Sequence, residues 1–267
     1  MAADIKSLRN RIKSVDSTLH LTKAMGLVAS SKIRRATEGM NKSKAFSKAI
    51  SDIINVLTTS SECAKSPYMQ KKEVKKTKII IIAGDRGLAG GYNANVFRLA
   101  KEYDGCEFIP IGKRACDRFG EGFVSAEYFM AKDAIELSNK LCDEFVNGDF
   151  DKLGIISTKY ISMMSQEPVI NWILPLEKAD NQKSVSMVFE PDEITILNYA
   201  VREYVAGVIS ACVRESFASE VAARRCAMDS AGKNAQEMID DLQLSYNRAR
   251  QDAITQELTE IVAGSGV

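Results

Sequence analysis

The stretch Gly84-Asp85-Arg86-Gly87-Leu88-Ala89-Gly90-Gly91-Tyr92-Asn93 has the composition to do chemistry, because closely spaced glycines let backbone amides approach a phosphate. It follows a short apolar run, Ile79 to Ala83, and precedes a helical pattern, which is where a phosphate loop would sit. The groups that would complete such a site do not follow. Gly90 and Gly91 lead into Tyr92 and Asn93 instead of a lysine and a hydroxyl residue, and the glycines at 84, 87, 90 and 91 do not keep the dinucleotide spacing. No acidic residue closes the next apolar run to take a ribose. The loop therefore reads as a structural turn, and no cofactor is expected.

The other reactive side chains are more scattered. The single histidine, His20, lies in a helical pattern and has no second imidazole with which to hold a metal. Asp240 and Asp241 are neighbours on a helix and point in different directions, so they make a poor acid and base pair. Cys63, Cys106, Cys116, Cys142, Cys212 and Cys226 form no pair at metal-ligand spacing and read as reduced, small apolar residues. Arg250 with Gln251 offers a planar fork of donors beside an amide, a combination suited to gripping carboxylates or carbonyls of a partner. The composition gives no reason to expect an enzyme.

What must position these residues is set by proline. All five prolines lie between Pro67 and Pro191, which leaves both ends free to form continuous helices. Apolar residues at Ile5, Leu8, Ile12, Val15 and Leu19 keep the three-four alternation of a coiled-coil seam, continued at Ile33, Ala36, Met40, Ile50, Ile54 and Leu57. Thr22, Gly26, Ala29, Ser43 and Ser47 keep the phase with small side chains, so a partner backbone can come close. Near the other end, Met228, Ala231, Ala235, Met238, Leu242, Tyr246, Ala249 and Ala253 supply the second strand of the seam, with two consecutive steps of four around Leu242. At 1.5 Å per residue these ends predict rods of roughly 80 and 105 Å. Residues 1–66 carry 12 Lys and Arg against 5 Asp and Glu, and residues 192–267 carry 7 against 12, so opposite fields favour pairing of the two ends.

The middle changes period. Ile79 to Ala83 predicts a strand buried on both faces, followed by a helix capped by Asn93 and running to Tyr103. Strands are expected at Glu107–Ile111, Val124–Phe129, Leu153–Ile161 and Pro168–Leu174, and helices at Lys113–Phe119, at Asp133–Asn147 and from Asp192 onward. The predicted class is α/β: a long antiparallel coiled coil of N- and C-terminal helices plus a small Rossmann-like central domain with a largely parallel sheet. The expected divisions are 1–66, 67–191 and 192–267. Neither a membrane-spanning apolar run nor an export signal is expected from the sequence.

Several segments carry a resemblance. Ile5-Lys6-Ser7-Leu8-Arg9-Asn10-Arg11-Ile12, Leu21-Thr22-Lys23-Ala24-Met25 and Val28-Ala29-Ser30-Ser31-Lys32 are similar to the first helix of the gamma subunits of bacterial rotary ATP synthases. Asp85 to Asn93 resembles their central signature. Glu220, Ala222-Ala223-Arg224, Ala227-Met228, Tyr246 to Gln251 and Ile254 to Ile261 resemble their most specific segment. Ala89 stands where many members carry cysteine and Ser265 where alanine is usual, and the regulatory insertion of the chloroplast relatives is missing.

The resemblance implies a non-catalytic, cofactor-free central shaft, one copy per complex, standing inside a ring of alpha and beta subunits. It further implies contacts to the epsilon subunit and the membrane c-ring, and a peripheral place on the cytoplasmic face of the cell membrane. Proton flow would turn the c-ring, and the asymmetric shaft would drive the catalytic beta subunits through their binding states. Matching the family's contact segments assigns subunit contacts to Lys23, Met25, Arg34, Arg224, Arg250, Gln251, Thr255 and Glu257. Two other classes fit parts of the pattern. A coiled-coil structural protein with an α/β hinge domain would share the antiparallel ends but needs nucleotide motifs at its termini. A nucleic-acid-binding module could use Arg34, Arg35, Lys42, Lys44 and Lys48, yet residues 1–66 hold only one aromatic, Phe46, for stacking.

Overall fold

The structure, a computed structural model, describes residues 2–70, 73–178, 189–264 and 266, with side chains from Ile5 onward at the amino end. Its elements are α1 (Ala2–Thr58), β1 (Thr77–Ile82), α2 (Tyr92–Ala100), β2 (Glu107–Ile111), α3 (Lys113–Phe119), α4 (Ala131–Asn147), β3 (Lys152–Tyr160), β4 (Gln166–Leu174) and α5 (Glu193–Gly264). Two compact units divide the chain, one formed by Met1–Ser30 with Arg224–Val267 and the other by Ser31–Ala223.

Along α1, every expected seam position from Ile5 to Leu57 is buried or half-buried. The small residues at Thr22, Gly26 and Ala29 are fully buried, so their lack of bulk reflects close helix approach and not exposure. On α5 the expected seam needs one correction. Ile239 is 5% exposed and Met238 is 45% exposed, and Gly232 joins the seam beside Ala231. The steps therefore run from Met228 through Gly232, Ala235, Ile239, Leu242, Tyr246 and Ala249 to Ala253 in regular alternation, without two consecutive fours. One residue is about a 100° turn on a helix, so either Met238 or Ile239 can face the seam, and the branched apolar side chain takes the place.

In the first unit, Val15, Leu19, Ala235 and Ile239 form the core. A Cβ on Gly26 would lie 3.6 Å from Met228 Cβ, and one on Gly232 would lie 3.6 Å from Thr22 Oγ1. Four residues back along α1 thus correspond to four forward along α5, which makes the pair antiparallel.

The second unit is built on a sheet in the order β2-β1-β3-β4, with β1 parallel to both neighbours and β4 antiparallel to β3. Ile79, Ile80, Ile81 and Ile82 are all 0% exposed, which explains why this strand reads as an unbroken apolar run. One face packs Ile80, Ile82 and Ile155 on Leu141 and Phe145 of α4 and on Val201, Val205 and Ile209 of α5. The other packs Ile79, Ile81 and Ile156 on Val96 of α2 and Ala115 of α3. Pro110 on β2 and Pro168 on β4 lie on the two edge strands, where a missing N–H discourages pairing with another chain.

Three expectations change. Val124–Phe129 is not a strand; a single bridge joins Phe123 to Ile111, and beyond it the Asp85 carboxylate takes the place of a strand neighbour. It accepts Ser125 Oγ at 2.5 Å, Ala126 N at 2.8 Å and Glu127 N at 3.2 Å. Asn93 lies inside α2 and does not cap it. Asp192 precedes α5 as a cap, with Oδ1 accepting Thr195 N–H at 2.8 Å. Finally, where no membrane-spanning apolar run is expected, an 18-residue window of α5 reaches a mean hydropathy of 1.2, enough by length and composition to cross a membrane. Half of that window is buried inside the fold, so its apolar character is that of a core helix.

Candidate functional site

The glycine-rich loop is occupied by its own side chains. Gly84 N–H donates to Asn93 Oδ1 at 2.9 Å, and Asn93 Nδ2 donates to Arg86 O at 3.3 Å. A Cβ on Gly84 would fall 2.7 Å from Glu220 Cδ, so any larger residue would push aside the buried Glu220 carboxylate of α5 on which the loop closes. At Gly112, φ is +98° and a Cβ would fall 2.1 Å from Ala83 O, where the second crossover meets the same loop. The Asp85 carboxylate also draws Lys113 N at 3.4 Å. An anion is thus built into the place where a phosphate loop must be electropositive, and the loop is a structural clasp, as the sequence indicated.

The thiols are equally quiet. Burial, helped by Glu193, Glu62 and Asp192, pushes Cys63 up to about 11, and burial pushes Cys212 up to about 11. Neither is a ready nucleophile at neutral pH. Among the described residues no group of three or more His, Cys, Asp or Glu side chains could hold a metal ion.

What remains is surface on the paired helices of the first unit. Lys23, Leu27, Arg225, Met228, Lys233 and Gln236 line a groove of about 500 Å³ floored by Leu19, Gly26 and Gly232. Arg225 Nη1 donates to Gly26 O at 3.4 Å, and Asp229 pairs with Lys233 at 3.0 Å. The groove is cationic at its rim and apolar at its floor, a combination that suits a carboxylate-bearing partner segment.

Farther along, the antiparallel register brings the first turn of α1, Ala2 to Ile5, level with Asp252 back to Ala249, while α5 runs on to Gly264. On that extension Ile254, Leu258, Ile261 and Val262 are 46%, 58%, 66% and 73% exposed and recur at helical spacing on one side.

Of the sequence-derived contact residues, Lys23 stands on the groove and Met25 is half-buried beside the α1 seam. Arg224 is half-buried at the start of this stretch of α5. Arg250, Gln251, Thr255 and Glu257 are exposed toward its end, with Thr255 Oγ1 donating to Gln251 O at 2.9 Å. Arg34 belongs to the other unit, almost wholly exposed and 3.8 Å from Glu38 one turn on. Arg225, Lys233 and Gln236 were missed. Their signal is the glycine pair Gly26 and Gly232, whose second member is masked in sequence by the adjacent small residue Ala231.

A family model described as ATP synthase matches residues 4–266. The ATP synthase gamma chain of Ruminococcus albus is 41% identical over 281 residues, spanning 98% of each chain. This chain belongs to the ATP synthase gamma chain family. A relative from Acetobacterium woodii, named ATP synthase gamma chain, sodium ion specific, is 37% identical over 99% of each chain. Among solved structures, a chain of the Euglena gracilis mitochondrial ATP synthase in rotational state 3 superposes with a TM-score of 0.71 at 17% identity, covering 100% of this chain and 97% of that one. A chain of the Tetrahymena thermophila central stalk and c-ring superposes with a TM-score of 0.64 at 22% identity, over 79% of this chain and 99% of that one. The gamma-chain fold, two long antiparallel helices with a small mixed sheet, is thus the fold of this molecule.

Proposed function

We infer that this chain is the central rotor shaft of an ion-driven ATP synthase, a non-catalytic subunit that couples rotation of a membrane ring to the conformational cycle of the catalytic subunits. The observation that carries this reading is the end of α5, a gamma-family helix that runs past its α1 partner with Ile254, Leu258, Ile261 and Val262 uncovered on one side. Such a stripe is unfavourable in water and suits a helix sleeved by partners. In this reading residues 1–66 and 192–267 are the shaft and 67–191 the domain near the membrane. The sleeve is the ring of alpha and beta subunits, and the foot meets epsilon and the c-ring on the cytoplasmic face, peripheral to the membrane. Torque passes through the shaft and ions do not, so the coupling ion is chosen by the ring.

Differential contact is what the shaft contributes. Lys23, Met25 and Arg34 on α1, and Arg224, Arg250, Gln251, Thr255 and Glu257 on α5, present a different side to each neighbour, and each neighbour's equilibrium shifts by the difference in contact energy. Arg250 and Gln251 grip a loop of one beta subunit at one rotational position. In the assembled complex, Arg250→Ala with Gln251→Ala keeps the helix, since alanine is the best helix former, and lowers ATP synthesis or turnover. Normal assembly with unchanged synthesis, hydrolysis and pumping would remove the grip. Failure of the chain to copurify with alpha and beta subunits would remove the shaft itself.

A further inference from the structure

We propose that Glu215, Ser216 and Ser219 of α5 form a torque joint, taking over the hydrogen bonds of the free edge of β3 so that sheet and long helix turn as one body. The proposal rests on the shaft reading and names the place inside the second unit where load crosses from sheet to helix.

The observation begins with unequal strand lengths. β1 pairs with β3 only as far as Ile81 opposite Ile156, whereas β3 continues to Tyr160. On its other side β3 pairs with β4, and Thr158 stands opposite Pro168 in one of the alternate antiparallel pairs whose backbone groups point away from each other. The backbone groups of Thr158 therefore turn toward the vacated side, where a third strand would ordinarily pair with them and where α5 lies instead.

The helix answers with side chains. Thr158 N–H donates to Ser216 Oγ at 3.0 Å, and Ser219 Oγ donates to Thr158 O at 3.2 Å. Two residues on, Tyr160 N–H donates to Glu215 Oε1 at 2.8 Å, and the same oxygen accepts Lys44 Nζ of α1 at 2.7 Å. Tyr92, the first residue of α2 directly after the glycine-rich loop, donates its hydroxyl to Ser216 O at 3.0 Å. Ser216 and Ser219 are both 0% exposed. The Thr158 hydroxyl itself is buried with no partner among the described residues, so the strand contributes its backbone here and not its side chain.

Apolar packing alone would hold the sheet against α5, but packed methyl groups resist sliding weakly because they lack direction. Hydrogen bonds with fixed donors and acceptors resist a shear of even an ångström, and burial removes the water that could replace them. Five directed bonds meet within one and a half turns of α5, tying together α1, the start of α2 and β3. This also gives the loop a purpose that phosphate binding does not: it clasps the helix at the joint.

The test uses the whole purified complex carrying Ser216→Ala with Ser219→Ala, and separately Tyr92→Phe. The expected result is retained ATP hydrolysis with a loss of ATP-driven ion pumping per ATP consumed. A bead on the sheet domain of a stalled complex is expected to wander over a wider angle than in the parent. If the double variant does not assemble, Tyr92→Phe decides, since it removes one hydroxyl and keeps the ring. A lowered melting temperature with pumping per ATP and angular spread both unchanged would make these residues mere packing and overturn the proposal. A parent complex in which this chain does not rotate would instead overturn the shaft reading.

Discussion

Cys63 and Cys212 sit where folding keeps a thiol neutral, and the consequence is measurable in alkali. Both are pushed from an ordinary 9.0 up to about 11, by burial above all. Below pH 9 the folded and unfolded chains hold the same protons and the contribution is whole. Between about 9 and 11 the unfolded chain has lost protons that the folded chain keeps, so stability falls as pH rises, by up to about 1.4 kcal/mol per pH unit for each thiol. The urea midpoint should drop across that window, and the drop should shrink in a Cys63→Ala, Cys212→Ala variant; identical slopes for variant and parent would contradict the assignment. At this scale the sequence was legible in part. The quiet thiols and the failed phosphate loop could be read from spacing alone. The role of Asp85 could not, because its partners, Ser125 to Glu127, lie some forty residues away and no local pattern marks them. The serines at 216 and 219 were equally silent, since in a helical pattern a buried serine looks like any small seam residue.

Among the elements, α1 was read in full because heptad phase survives substitution by small residues, as at Thr22, Gly26 and Ala29. α5 was read one residue off at Met238, since adjacent apolar residues offer two phases and only the partner helix chooses between them. That choice gives a clean contrast. Ile239→Ala should cost about 2–4 kcal/mol by loss of packed volume, whereas Met238→Ala should change stability by less than about 0.5 kcal/mol. Denaturant unfolding of the two variants distinguishes the registers, and equal losses would restore the Met238 seam. The expected strand at Val124–Phe129 failed for a similar reason: its Ser125 hydroxyl and its Ala126 and Glu127 N–H groups donate to a carboxylate from another loop, and alternation cannot reveal a partner that is not a strand.

For the whole molecule, the architecture was legible in the placing of the prolines and the opposite charge of the ends, and the surface was not. Arg250, Gln251, Thr255 and Glu257 are exposed on a helix that also exposes Leu258 and Ile261, and a partner is needed to make sense of them together. Shaft function demands that this chain move relative to its neighbours while the nucleotide chemistry takes place in them. The direct measurement is single-molecule observation of the purified complex, immobilised through its catalytic ring, with a bead fixed to an exposed residue of the sheet domain. On addition of ATP the bead should turn in one direction, in equal steps that match the number of catalytic subunits. Continued ATP hydrolysis with the bead stationary would contradict the account.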